Sequence, residues 1–342
     1  MTHRGCLIGC GFFARNHMHA WTDLPGARIT AVCDTDRARA EAFARDFGVA
    51  SIYTDAAEML AAERPDFCDI ATTPPSHRAL VELAAPHARL LICQKPIADT
   101  LEDARAMVAA CEAAGAALVI HENFRWQAPL VRMKAVIEQG GIGTPRHGRF
   151  EFRHKWDVYA GQPYLAEFPR LAIMDVGVHV FDLARHFMGE AAAITCETQR
   201  RNPRVAGEDA FTVLTRHATG DVSVCDVSFH SRYDPEPFPQ VWARVEGDEG
   251  TIELLPGHRL VIHGEAGRVE EDGEPPVPAW GERPWHVVQD SVRRFQAHVI
   301  DVLDGRTMPQ PSGADNVRTL ALCLAAYESA ETGRRVTLEA QT

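Results

Sequence analysis

Between residues 5 and 123 the chain keeps one rhythm, a short apolar run followed by a stretch of helical periodicity. CLIG precedes RNHMHAWTDL, RITAVCD precedes DRARAEAFARDFG, and CDIATT precedes SHRALVELAAPH. RLLICQKP then leads into LEDARAMVAACEAAG, and ALVIHEN closes the series. Strands alternating with helices of this length predict βαβ units and a parallel sheet. The strands are apolar throughout rather than on alternate residues, as a sheet covered on both faces requires.

The first strand runs directly into GCGFFA, Gly9 to Ala14, which has the spacing G-x-G-x-x-G/A. That spacing is common by chance, but here it follows a strand and opens a helix. In that position bare amides and the helix dipole attract a pyrophosphate. The second strand ends in Asp34, where a carboxylate accepts from a ribose 2′-hydroxyl and repels a 2′-phosphate. NAD is therefore expected over NADP, with Arg37 as the side chain able to soften the preference. Two more strand ends face the same crevice in a sheet of this kind: ATTPPSH (Ala71–His77) and Gln94-Lys95-Pro96. The candidate cofactor residues are Gly9, Gly11, Phe12, Phe13, Asp34, Thr72, Pro74, His77, Gln94 and Lys95.

After residue 124 the rhythm changes. HGRFEFRHKW, AAITCETQRR, EDAFTVLTRH, DVSVCDVSFHSR and VWARVEGDEGTIELL alternate polar and apolar positions, mostly without helices between them. This predicts an open, largely antiparallel sheet with one covered face. Helices over HVVQDSVRRFQAHVIDVLDG and DNVRTLALCLAAYESAETG end the chain, and Gly264 to Pro284 reads as an exposed loop. The expected fold is α/β: a Rossmann doubly wound parallel sheet over 1–123, then an α+β substrate and oligomerisation domain over 124–342. A sheet face left to be covered predicts a homodimer or homotetramer.

Within that second region, IMDVGVHVFDLARHF places Asp175, His179, Asp182 and His186 at spacings of four, three and four. On a helix they form one stripe beside the apolar stripe of Val176, Val180, Leu183 and Phe187. A metal site would need a further cluster with ligand spacing, and none stands out. A structural hydrogen-bonded stripe and an acid–base site both fit. An alcohol oxidised by NAD needs a base for its hydroxyl proton, and a histidine oriented by a carboxylate suits that task. Asn123, Arg125 and Trp126 follow the last parallel strand, and Tyr164 sits in a polar loop. With Asp175 and His179 they are the candidate substrate residues.

The formal charge of −12, from 35 basic and 47 acidic residues, argues against nucleic acid or an anionic membrane as partner. Nine cysteines, most of them in strand-like runs, read as reduced core thiols. The N-terminus shows no cleavage pattern and no run has the length of a membrane span, so a cytoplasmic location is expected.

Together these motifs resemble the Gfo/Idh/MocA family of NAD(P)-dependent sugar and polyol oxidoreductases, over nearly the whole chain. The family's E-K-P motif is similar to Gln94-Lys95-Pro96, with Gln for Glu, and its D-x-G-x-H motif matches Asp175 to His179. The resemblance implies Lys95, Asp175 and His179 as the catalytic set, with His179 as base and Lys95 beside the developing alkoxide, or these two exchanged. FPRLAIM stands where the family often has a Gly pair. The segments HENFRWQ, GQPYLAE, RPWH and SGADN resemble the branch of the family that oxidises D-apiose, a branched furanose, at its anomeric carbon to a lactone. Rival expectations are an inositol or unbranched-aldose dehydrogenase, a sensor that binds dinucleotide without chemistry, and an NAD-dependent glycosidase.

Overall fold

The computed structural model describes residues 2–265 and 267–338. They form two compact units, one running up to Asn123 and including Ser291–Leu320, the other comprising Phe124–Asp290 and the chain from Ala321.

In the first unit the six strands are β1 (His3–Ile8), β2 (Ala27–Cys33), β3 (Ser51–Tyr53), β4 (Phe67–Ile70), β5 (Leu90–Gln94) and β6 (Ala117–His121). Every neighbouring pair is parallel, in the order β3-β2-β1-β4-β5-β6. The order reverses between β1 and β4, which opens a crevice beyond the carboxyl ends of these strands. Helices α1 (Ala14–Asp23), α2 (Arg37–Phe47), α3 (Ala56–Glu63), α4 (Pro74–Ala84) and α5 (Leu101–Ala114) connect them. Asp36, Asp55 and Thr100 cap α2, α3 and α5 by accepting from backbone N–H groups in the first turn. Every residue of β4 and β5 is buried, which accounts for their largely apolar sequence, and the buried set includes Asp69 and Gln94.

The second unit begins with α6 (Ala128–Glu138), β7 (Pro145–Arg153), α7 (Val178–Met188) and β8 (Ala191–Gln199). It continues through β9 (Ala210–His217), β10 (Val222–Ser228), β11 (Trp242–Gly247), β12 (Thr251–Leu255), β13 (Arg259–Gly264) and β14 (Gly267–Asp272). The chain goes on to α8 (His286–Leu303), which from Ser291 groups with the first unit, α9 (Gly313–Thr332), which groups with the first unit up to Leu320, and β15 (Val336–Thr337). Among the described residues these strands build a nine-stranded sheet, β14-β13-β12-β11-β7-β10-β9-β8-β15. It is antiparallel except between β7 and β10. Helix α7 packs one face: Phe187 stacks near Phe150, and Phe181 lies against Phe211.

Two expectations need correction. A single cut at residue 123 does not describe the units, because 291–320 groups with the first. Ser291 bonds Asn123, His3 bonds Asp304, and the Pro311 carbonyl accepts from Ile120 N–H. The expected loop after Gly264 contains β14, an exposed strand held by its ladder to β13 and by a diagonal Arg259–Glu270 pair at 3.0 Å. The sheet face opposite α7 carries the pairs Arg149–Glu151, Arg153–Asp226 and Arg244–Glu246. Leu214 is exposed among them.

All nine cysteines are free and buried, as core thiols. Burial pushes Cys6 and Cys10 up to about 12, so they are poor nucleophiles at neutral pH.

Candidate functional site

The turn between β1 and α1 is built for close approach of a ligand to backbone. Gly9 has φ +96°, and a Cβ there would lie 2.8 Å from the Ala71 carbonyl oxygen. Gly11 differs, because a Cβ there would meet no atom within 4 Å. Phe12 is exposed beside it, and no side chain caps the start of α1. These bare amides and the open side of Gly11 fit a pyrophosphate. Asp34 is 8% exposed and braces the same turn: its two oxygens accept from Cys10 N–H and Asp36 N–H, each at 2.9 Å. Each oxygen keeps a second lone pair for a ribose hydroxyl. The arginine near Asp34 is Arg39, at 3.6 Å, whereas Arg37 is paired with Glu41.

Thr72, Pro74 and His77 lie where β4 meets α4. Thr72 and Pro74 are partly exposed, but His77 is fully buried, with its ring nitrogens 3.1 Å from the Ile97 carbonyl and 3.2 Å from the Thr72 carbonyl. Burial lowers its pKa, and it braces the loop from beneath rather than facing a ligand. Gln94 is also buried, its amide oxygen accepting from Lys95 N–H at 2.7 Å, while Lys95 itself is half-buried. Asn123 is 3% exposed and donates to Ser291 Oγ at 2.7 Å. That places it in the packing of its own unit, not at a surface open to a sugar.

In the second unit, the even stripe expected over residues 175–186 is broken by a π-helical turn, Ile173–Gly177, ahead of α7. Such one-turn insertions often mark functional positions. The buried Glu208 carboxylate holds its entry, accepting from Leu171 N–H at 3.3 Å, Ile173 N–H at 2.9 Å and Tyr327 Oη at 2.7 Å. The four polar residues then part company. Asp175 is half-buried in the π-turn, and His179 is 4% exposed and stacked flat on Phe124, centroids 3.8 Å apart. Asp182 is fully buried and makes a two-pronged ion pair with Arg125, Nε to Oδ2 2.7 Å. Arg125, expected at the sugar, is thus committed to a buried carboxylate. His186 lies in the last turn of α7, where its carbonyl accepts from Lys134 Nζ at 2.8 Å. Trp126 is half-buried, and Tyr164 is exposed with its hydroxyl donating to Gln162 Oε1 at 2.6 Å.

The structure adds residues that the sequence reading passed over. His154 follows the last residue of β7, is 1% exposed, and makes no well-formed hydrogen bond at either ring nitrogen. Burial lowers its pKa to about 4, so the ring is neutral. Tyr159 has a buried hydroxyl, also without a partner, pushed up to about 12 by burial and by the charges of Asp209 and Asp175. The Asp175 charge raises the pKa values of His154, Tyr159 and Tyr164 alike. Trp156 is exposed and stacks parallel on Phe238, centroids 5.6 Å apart. A histidine and two aromatics in HKWDVY, where an alternating strand stops, were the available signal. Unsatisfied hydroxyl and imidazole groups beside an exposed aromatic plane suit a polyhydroxylated ligand. Among the described residues, no three His, Cys, Asp or Glu side chains are grouped to hold a metal ion, and no helix is long and apolar enough to cross a membrane.

Comparison with known proteins agrees with both halves. Residues 4–122 match the model of an oxidoreductase family with an NAD-binding Rossmann fold, and residues 130–253 match the GFO/IDH/MocA C-terminal domain. The chain is 49% identical over 337 residues to a D-apiose dehydrogenase of Rhizobium rhizogenes, covering 98% of each. To a D-apiose dehydrogenase of Paraburkholderia graminis it is 50% identical over 336 residues, covering 98% of this chain and 90% of that one. A crystal structure of an oxidoreductase from Agrobacterium radiobacter, in complex with NAD+, L-tartaric acid and magnesium, superposes with a TM-score of 0.96. It is 48% identical and covers 98% of both chains. The two sheets, the glycine turn and these full-length matches converge: this chain belongs to the Gfo/Idh/MocA family of NAD-binding oxidoreductases.

Proposed function

We propose that this protein is an NAD-dependent sugar dehydrogenase that oxidises the anomeric carbon of D-apiose to D-apionolactone. The observation that carries the reading is likeness at about half identity, over nearly the full length, to two proteins named for that activity. The turn at Gly9 and Gly11, with Asp34 behind it, holds the cofactor. Bound NAD supplies the hydride acceptor. His179 takes the proton of the anomeric hydroxyl as the C–H bond breaks and the carbonyl forms. The Lys95 ammonium offsets the negative charge that develops on that oxygen. Asp175 fixes a sugar hydroxyl, and neutral His154 and the Tyr159 hydroxyl complete the sugar's hydrogen bonds. Trp156 offers its ring face to the sugar's C–H groups. Asp34 favours NAD over NADP by repelling a 2′-phosphate.

The protein acts as a homo-oligomer in the cytoplasm, the charged face of the nine-stranded sheet meeting a second copy. Light scattering at micromolar concentration tests this, and a monomer contradicts it. The substrate is tested by following NADH absorbance with D-apiose, myo-inositol, D-glucose, D-xylose and L-arabinose, and repeating the set with NADP. Turnover on apiose with NAD is expected. Turnover only on another sugar replaces the substrate, and silence with tight NAD binding favours a sensor or a glycosidase.

A further inference from the structure

Lys95 is preceded by a glutamine, and three buried polar groups stand behind that glutamine. On α1, His17 and Trp21 lie one turn apart and both reach Asp69 on β4. His17 Nδ1 is 3.0 Å from Asp69 Oδ2, and Trp21 Nε1 donates to the same oxygen at 2.8 Å. His17 Nε2 is 3.3 Å from Gln94 Nε2, and Gln94 Oε1 accepts from Lys95 N–H at 2.7 Å. Asp69 and His17 are fully buried, and the His17 ring stacks on His121 at 4.0 Å.

This chain of contacts admits one placement of hydrogens. Lys95 N–H can only donate, so Gln94 must present its oxygen there and its NH2 to His17. His17 Nε2 must then accept, which leaves its proton on Nδ1, pointed at Asp69. Protonating Nε2 would set two donors against each other, and turning the amide over would do the same at Lys95. A glutamate at position 94 would instead need a proton on Nε2, and hence an imidazolium between two carboxylates.

We propose that Asp69, His17 and Gln94 form a buried positioning relay, in which one neutral histidine tautomer sets the Gln94 amide and the amide sets the backbone at Lys95. The proposal rests on the reading of Lys95 as the charge that stabilises the alkoxide, and explains how a glutamine serves in the position where glutamate is usual. All three are buried. They act by holding the lysine, and a small displacement of a catalytic group lowers turnover by about a hundredfold.

Two measurements test it, using the full chain. The first is the 15N spectrum of histidine-labelled wild type, with the His17 signal assigned by its absence in His17→Gln. The expected pattern is that of a ring protonated at Nδ1 alone. A ring protonated at Nε2, or at both nitrogens, overturns the relay. This readout does not depend on what Lys95 does. The second is the pH profile of turnover for Gln94→Glu against wild type. Two titratable side chains meet the His17 ring, Asp69 on β4 and His121 on β6, while Lys95 after β5 meets Gln94 through its backbone N–H.

In the variant, the relay works only while His17 is protonated. Its turnover should therefore approach wild type in acid and fall about tenfold or more as pH rises. A profile parallel to wild type overturns the relay. If Gln94→Glu does not fold, the spectrum of wild type still decides. Lys95→Ala separates the two readings. Full activity there overturns the role given to Lys95, while the His17 tautomer continues to judge the relay.

Discussion

The cofactor half and the sugar half of this protein are made of different materials. The turn after β1 is backbone: a glycine forced into the left-handed region, a second glycine with open space beside it, and a helix start that no side chain caps. The sugar half is side chains held by other side chains. Asp175 sits in a π-turn pinned by Glu208 and Tyr327, and His179 lies flat on Phe124. Backbone sites tolerate no added atom, whereas side-chain sites tolerate no loss of support.

The comparison can be broken most sharply at His179. Changing it to Asn should lower turnover by about a thousandfold, as expected for a general base, with NAD affinity intact in fluorescence titration. An unchanged rate would remove the sugar half from the account. Gly11→Ala should do the reverse. No protein atom opposes the new methyl, so the melting temperature stays at the wild-type value while NAD affinity falls by about a hundredfold or more. Gly9→Ala, with strained φ and the Ala71 carbonyl in its way, should lose both stability and affinity.

Support in the sugar half is tested at Asp182. Asp182→Ala removes the buried carboxylate that faces the Arg125 guanidinium, and should cost about 3–5 kcal/mol in denaturant unfolding. A loss within the error of the wild-type measurement would mean the pair is solvated. His154→Phe keeps the ring and removes both nitrogens. It should raise KM for the sugar by about tenfold with a smaller change in kcat and none in NAD affinity.

The smallest effect is on stability against pH. Burial holds His154 and His258 at about 4, below the ordinary 6.5. Between these values the unfolded chain binds protons that the folded chain refuses, so stability falls as pH drops from 6.5 towards 4. The slope should be shallower in His154→Phe. An equal slope in the variant would show that His154 does not titrate on unfolding.

The two halves also differed in how far sequence could reach them. The first sheet was legible because largely apolar strands, glycine spacing and helix periodicity are local signals, and β4 and β5 are buried at every residue. The place of Asp34, directly after β2, was legible from the strand pattern. What failed were inferences needing partners from afar. The stripe of four polar residues assumed one regular helix, but the π-turn and the Arg125–Asp182 pair divide it. His77 and Asn123 are polar residues at suggestive positions that tertiary contacts turn inward. His154 and Tyr159 carry no motif at all, and their unsatisfied polar atoms become visible only once burial is known. Residues 291–320 join the first unit through contacts hundreds of positions apart, such as His3 with Asp304, which no periodicity encodes.

The most direct test of the account is to follow the hydrogen itself. D-Apiose carrying deuterium at its anomeric carbon would be incubated with the enzyme and NAD, and both products analysed by mass spectrometry. The account predicts one deuterium in the reduced nicotinamide, D-apionolactone as the carbon product, and a primary isotope effect where hydride transfer limits turnover. Deuterium retained on the sugar, or reduced cofactor without label, would contradict oxidation at that carbon.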